Sequence, residues 1–326
     1  MRTPVRIGVV GWERTSVALA RAFQELPQSE LAWLLGDTAP ELETLGDDET
    51  VDAVALATPP ARTYELARRA LAAGKHVYAD TLIAPSSDQA DELVRLAGTN
   101  DRQLAAGGLL LFHPAVLKLE ELLADGRLGE LYYLHASRLA LAPDEDLVWS
   151  LGGRELPVVL ELLGDEPVAV RARGEAYVGP GAVDVVFVEL TFATGITAHL
   201  HVSRLDANDL RLISLVGSRA TAVVEELARE RSLSVYYRDA SDGGARLGDV
   251  VCPRVAGGDP LRLRCERFLA RVRAPGADVA AARRAASVVA ILEALERSLV
   301  ACGAPEAVGG RTGDSSKVVR LPVKSR

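Results

Sequence analysis

The sequence predicts an α/β protein, with an N-terminal doubly wound parallel sheet followed by a C-terminal α+β domain built on an open, mostly antiparallel sheet. Three observations carry that expectation. The first third alternates short apolar runs with helical patterns, the order that produces parallel strands joined by crossover helices. From Leu131 the texture changes to long strand-like runs separated by Gly, Asp and Ser turns. A chain of 326 residues, 48% hydrophobic and 25% charged, is long enough to bury two cores.

The elements follow in order. VRIGVV (5–10) opens the parallel sheet, and the next helix sets Leu19 and Phe23 on one face. LAWLLGD (31–37), VDAVALAT (51–58) and KHVYAD (75–80) supply three more strands, with a helix from Thr63 between the last two. Near Ser87, whose side chain can cap it, a further helix places Ala90, Leu93, Val94 and Ala97 at i, i+3, i+4, i+7. This Rossmann, dinucleotide-binding-like domain is assigned residues 1–118.

Residues 119–303 form the second domain. Its strands are LYYLHASRL, VAVRARGEAYV, VDVVFVELTFA, ITAHLHVSRL, LRLISLVG and LSVYYR. A helix striped with Leu156, Val159, Leu160 and Leu163 lies between the first two and is expected on the sheet's inner face. Two later helices carry Cys265, Phe268, Leu269 and Val272, then Val288, Ile291, Leu292, Leu295 and Leu299; the second closes back onto one of the domains. Residues 304–326 form a Gly-rich, basic tail in which KVVRLPV is either a late edge strand or frayed.

Composition narrows the function classes. A net charge of −8 with both signs interspersed disfavours nucleic acid or an anionic membrane as partner. No apolar run approaches a membrane span, and the polar start MRTPVR is unlike a signal peptide, so the expected location is the cytoplasm. Three cysteines without paired spacing argue against disulfides or zinc and read as reduced and at least partly buried. His199 and His201 share one strand face but lack accompanying carboxylates, so no metal site is expected.

The turn after the first strand is where a G-x-G-x-x-G fingerprint belongs, and it reads Gly11, Trp12, Glu13, Arg14, Thr15, Ser16. Only the first glycine is present. Glu13 puts a side chain and a negative charge where a pyrophosphate would approach, costing about 1 to 3 kcal/mol at about 6 Å unless it points away. Weakened dinucleotide affinity is the expectation. Asp37, at the end of the second strand, can accept ribose hydroxyls and would repel a 2′-phosphate, which favours NAD over NADP; alternatively it starts a turn. Thr58 and Pro59 after the third strand, with Asp80 and Thr81 after the fourth, complete the expected cofactor set.

These residues resemble the Gfo/Idh/MocA oxidoreductases over nearly the whole chain. The resemblance rests on RIGVVG, VDAVALATPPARTYELARRALAAGKHVYAD, FHPAVLKLEELLADGRLGELYYLHASRLAL, VWSL, PLRLRCERFLARVR and VVAILEALERSL. The run from His113 to Leu141 and HLHVSRLDA are most similar to the UDP-N-acetylglucosaminuronate 3-dehydrogenase branch. The resemblance implies a Rossmann domain, a second domain whose open sheet forms homo-oligomers, and NAD(P)-dependent oxidation or reduction of a sugar or sugar-nucleotide hydroxyl. It also exposes a mismatch. The family's Glu-Lys-Pro falls on Asp80, Thr81 and Leu82, and its His-Asp pair falls on Arg154 and Glu155. Leu111 replaces an arginine that many members carry.

Hydride transfer from an alcohol needs a group to take the hydroxyl proton, worth roughly 10² to 10⁴ in rate. A threonine hydroxyl is too weak a base and a guanidinium stays protonated. The candidate substitutes are Glu155 or Asp80, if burial raises their pKa, and His113; for Glu155 the adjacent Arg154 is expected to favour the ionised form. Arg138 and Arg154 are the candidate substrate-binding residues, suited to a diphosphate or carboxylate, while Arg204 reads as a solvated surface arginine. Two readings stay open: an active dehydrogenase with a replaced acid/base, or a catalytically inactive relative acting as a binding or regulatory subunit.

Overall fold

A computed structural model describes residues 3–11, 14–141, 146–178, 183–228, 231–238 and 247–308. The N-terminal sheet contains β1 (Val5–Val10), β2 (Ser29–Leu35), β3 (Ala53–Leu56), β4 (His76–Ala79) and β5 (Leu104–Ala106), all parallel in the order β2-β1-β3-β4-β5. The helices α1 (Arg14–Gln24), α2 (Pro60–Ala72) and α3 (Ser87–Thr99) cover it. Both faces are therefore buried, and β1 and β3 read as nearly unbroken apolar runs for that reason. Helix α2 starts at Pro60 rather than Thr63, because proline is tolerated in a first helical turn. The strand β5 has only three residues, too short for any periodic signal, and the sequence pattern missed it.

A 3₁₀ turn (Leu109–Phe112) and α4 (Pro114–Ala124) lead to the second sheet. Its strands are β6 (Leu131–Leu141), β7 (Pro167–Glu175), β8 (Val185–Phe192), β9 (Thr197–Ser203), β10 (Leu205–Gly217), β11 (Ala220–Glu225), β12 (Leu233–Arg238), β13 (Leu247–Val251) and β14 (Glu306–Ala307). The order is β13-β12-β11-β10-β6-β9-β8-β7-β14, with β6 and β9 the one parallel pair among this sheet's described strands. On β8, Val186, Val188, Leu190 and Phe192 point inward while Phe187 faces out. The helix expected there is α6 (Glu155–Leu163), and a short α5 (Leu147–Gly153) that the sequence pattern missed precedes it, with a break at Arg154. The strand β14 draws the start of the expected tail into the sheet, whereas KVVRLPV lies outside the described residues.

The chain then returns to the first domain through α7 (Pro260–Arg273) and α8 (Val279–Val300). Phe268 of α7 packs edge-on against Phe23 of α1, and Tyr78 of β4 lies 5.4 Å from the same ring. Helix α8 touches both halves: Glu293 accepts hydrogen bonds from the Ser87 backbone N–H (3.0 Å) and hydroxyl (2.5 Å), and the Ser298 hydroxyl accepts from Ala172 N–H on β7 (2.9 Å). Of the cysteines only Cys265 is buried; Cys252 and Cys302 are exposed, contrary to expectation, because each lies beyond a regular element's packed face. Among the described residues no helix is long and apolar enough to cross a membrane.

Candidate active site

The expected cofactor residues follow the C-terminal ends of β1, β2, β3 and β4. Gly11 closes β1 at φ +146°, donating to Leu35 O (2.8 Å), and a Cβ there would stand 2.6 Å from Ala57 O. Glycine is thus required for the β1 and β3 turns to lie together. Helix α1 begins three residues later with no acidic side chain in its first turn, so its dipole favours an anion at that end. Trp12 and Glu13 lie outside the described residues. Thr58 is buried and spent on the turn itself, its hydroxyl 2.8 Å from that of Thr63, while Pro59 precedes α2. Asp37 uses its carbonyl to accept from Arg62 (2.9 Å); among the described residues its carboxylate makes no hydrogen bond. A glycine turn, a helix N-terminus and the Asp37 carboxylate are the kinds of group a dinucleotide needs.

Asp80 and Thr81 follow β4. The Asp80 carboxylate accepts from Arg264 of α7 at 2.5 Å, and that guanidinium, almost fully buried, lies over the Tyr78 ring at 5.1 Å. Thr81 is exposed, and a Cβ on Gly153 would meet its methyl at 3.9 Å, so the end of β4 abuts the α5–α6 corner. The positions that the family resemblance gives to lysine and histidine are neighbours here.

That corner holds a chain of charges. Arg138 on β6 donates from Nε to Glu155 Oε1 at 2.9 Å and from Nη2 to the Ser150 hydroxyl. Arg154 Nε is 3.9 Å from the same Glu155 oxygen, but its Nη2 donates to Glu226 Oε1 at 3.0 Å, and Arg211 Nη1 meets that oxygen at 3.3 Å. Glu155 is buried and its Oε2 has no hydrogen-bond partner; it borders a cavity of about 10 Å³ shared with Ser137, Arg211 and Glu226. Burial pushes the Glu155 carboxyl above its ordinary range despite the opposing pull of Arg138 and then Arg154. The expectation that Arg154 would hold Glu155 in its weakly basic form is corrected: Arg154 turns toward Glu226, and desolvation wins.

His113 caps α4, its Nδ1 accepting from Ala115 N–H at 3.3 Å. Burial lowers its pKa, outweighing nearby Glu226, and an Nδ1 that accepts a hydrogen bond leaves Nε2 to carry the ring proton. The structure therefore brings Glu155, Arg138 and Arg154 together, with His113 reaching Glu226 from the side, and puts Asp80 in a separate pair. Arg204 is not a solvated arginine: its Nε is 2.5 Å from the fully buried Asp184. Sequence reasoning missed Arg211, Glu226 and Arg264. The first two sit on or just beyond ordinary strand patterns, and Arg264 looks like any polar helix residue until Asp80, 184 positions away, is beside it.

Comparisons with known proteins fit this geometry. A family model described as an oxidoreductase family with an NAD-binding Rossmann fold matches residues 12–107, and one described as the GFO/IDH/MocA C-terminal domain matches residues 116–223. The UDP-N-acetylglucosamine 3-dehydrogenase of Acidithiobacillus ferrooxidans is 31% identical over 194 residues, 58% of this chain and 60% of that protein. The chain thus aligns with about 60% of that relative's length. The inositol 2-dehydrogenase of Rhizobium meliloti is 26% identical over 68% of this chain and 71% of its own. A solved structure of the A. ferrooxidans enzyme superposes with a TM-score of 0.77 at 26% identity, covering 92% of this chain and 99% of that one. Levoglucosan dehydrogenase in complex with NADH, at 17% identity and a TM-score of 0.77, shares the fold. Matched by both of its domain models in the expected order around one cleft, the chain belongs to the Gfo/Idh/MocA oxidoreductase family.

Proposed function

We propose that the protein is an NAD-dependent oxidoreductase acting on a hydroxyl of a sugar or sugar nucleotide, with Glu155 as the group that takes or returns the hydroxyl proton. The observation that carries this reading is the Glu155 environment: a buried carboxyl above its ordinary pKa, one oxygen free of hydrogen bonds, beside the corner where Thr81 meets Gly153. A base works best when its pKa approaches the working pH, and burial moves Glu155 in that direction. Arg138 orients it through Oε1, and Arg154 meets an anionic group of the substrate. Asp37 would hold ribose hydroxyls, and the Gly11 turn with the α1 N-terminus would hold the pyrophosphate. The bound nicotinamide supplies the hydride acceptor. Asp80 and His113 serve as positioning groups, through Arg264 and through the α4 cap.

The test is formation of reduced cofactor with purified protein, NAD and a panel of UDP-sugars and free sugars. Glu155→Gln is expected to lower kcat by roughly 10² to 10⁴ with NAD affinity unchanged. Equal turnover in the variant removes Glu155 from the role. A second reading, a binding subunit without turnover, is favoured by Thr81 and Arg154 at the family's lysine and histidine positions. It is distinguished by binding of NAD and sugar nucleotide with no reduced cofactor formed. We further infer a cytoplasmic homo-oligomer joined through the outward face of the nine-stranded sheet, where Phe187 stacks on His201 at 4.3 Å. Light scattering of Phe187→Glu checks it, with dissociation the expected result.

A further inference from the structure

A separate cavity of about 90 Å³ lies where the end of β5, the 3₁₀ turn, α4, α6, α7 and α8 come together. Its apolar lining includes Leu82, Leu160 and Val288. Three guanidinium groups share it. Arg267 and Arg271 are one helical turn apart on α7, so they project from one face, and Arg284 reaches in from α8.

Their neutralisation is incomplete. Arg284 pairs with Glu161 at 3.3 Å. Arg271 meets Asp278 at 3.3 Å, but Asp278 also caps α8 by accepting from Ala281 N–H. Arg267 lies 5.8 Å over the Phe112 ring and makes no hydrogen bond or ion pair among the described residues. Burial, with Arg267 and Arg284 nearby, holds Arg271 below its ordinary range. Glu120, the remaining acid in the lining, is pushed upward by burial and by Glu161, which reduces the negative charge it contributes. Like charges around a partly desolvated cavity repel, and an anion between them relieves that repulsion.

We propose that this cavity binds a small dicarboxylate, its carbon chain against Leu82, Leu160 and Val288 and its carboxylates on Arg267, Arg271 and Arg284. At about 10 to 15 Å³ of such space per water, the cavity holds roughly six to nine waters, a size that suits a short dicarboxylate. The apolar lining selects against inorganic phosphate, which has no apolar surface to bury. Planar guanidinium groups match carboxylates in two-point contacts. Thr81 lines this cavity and also abuts Gly153 at the α5–α6 corner, so an occupant would touch the wall of the candidate active site.

The experiment is titration calorimetry of the full chain without cofactor, using succinate, with acetate and inorganic phosphate at matched ionic strength. Succinate is expected to bind saturably at one site, about 10-fold or more tighter than acetate. Arg267→Gln, at an exposed position that makes no hydrogen bond or ion pair among the described residues, is expected to keep its circular dichroism spectrum and to bind succinate about 10-fold more weakly; Arg271→Gln should lose at least as much. No saturable heat up to about 20 mM succinate overturns the proposal. So does equal affinity in Arg267→Gln, or phosphate binding as tightly as succinate.

Discussion

Glu155 and Arg138 are each buried around the other, with side chains 7% and 10% exposed, so removing one leaves a charge that water cannot reach. Arg138→Met is expected to destabilise the fold by about 3 to 5 kcal/mol, with Arg138→Met/Glu155→Leu recovering most of it, as measured in a urea double-mutant cycle. Burial raises the Glu155 pKa, so between the unfolded value near 4.5 and the folded one the native state binds more protons. This group's contribution to stability therefore falls as pH rises through that window. Backbone positions are as exacting. A Cβ on Gly8 would stand 2.3 Å from the Trp33 ring, and Trp33 is anchored to Asp48 by its indole N–H at 2.9 Å. Gly8→Ala should cost about 1 to 3 kcal/mol in urea denaturation, more than Gly46→Ala, where the nearest atom is 3.5 Å away. The sequence pointed to Glu155, Arg154 and Gly11 because motif spacing is local. It gave no sign of Glu226 or Arg264, since a charge pair formed across 72 or 184 positions leaves no periodic trace.

At the scale of elements, His76 shows how a titrating side chain holds two strands together. It opens β4, and its Nδ1 accepts from Gln103 N–H at 2.9 Å, just before β5. Burial depresses its pKa to about 4, against 6.5 for the free side chain. In that interval the unfolded chain binds the proton and the native ring does not. Stability should therefore rise as pH climbs from about 4 to 6.5 and be lost below it, because a protonated Nδ1 can no longer accept. His76→Gln is expected to flatten that slope in a pH series of thermal unfolding curves. The strands β1, β3 and β4 were legible because each is an apolar run between turn signals. Missing β5 has a plain cause: three residues carry no period. The short α5 was hidden too, since seven residues make barely two turns and carry little periodic signal.

For the whole molecule, the two-sheet architecture was legible because the change from helix–strand alternation to long strands is a change in texture over a hundred residues. The parallel pairing of β6 with β9 inside an otherwise antiparallel sheet was not, because strand order depends on where the chain returns, and no single segment encodes that. The same limit applied to α8, whose stripe foretold a closing helix without naming its partners. Glu293→Ala removes both bonds to Ser87 and should cost roughly 1 to 3 kcal/mol, read as faster hydrogen exchange at the start of α3 with β7 unaffected. Since α8 is fastened to α3 near its middle and to β7 near its end, the two halves cannot drift apart independently. Any widening of the cleft must swing about that helix like a door about its pin, and stiffening the pin would slow the entry and exit of whatever the cleft holds.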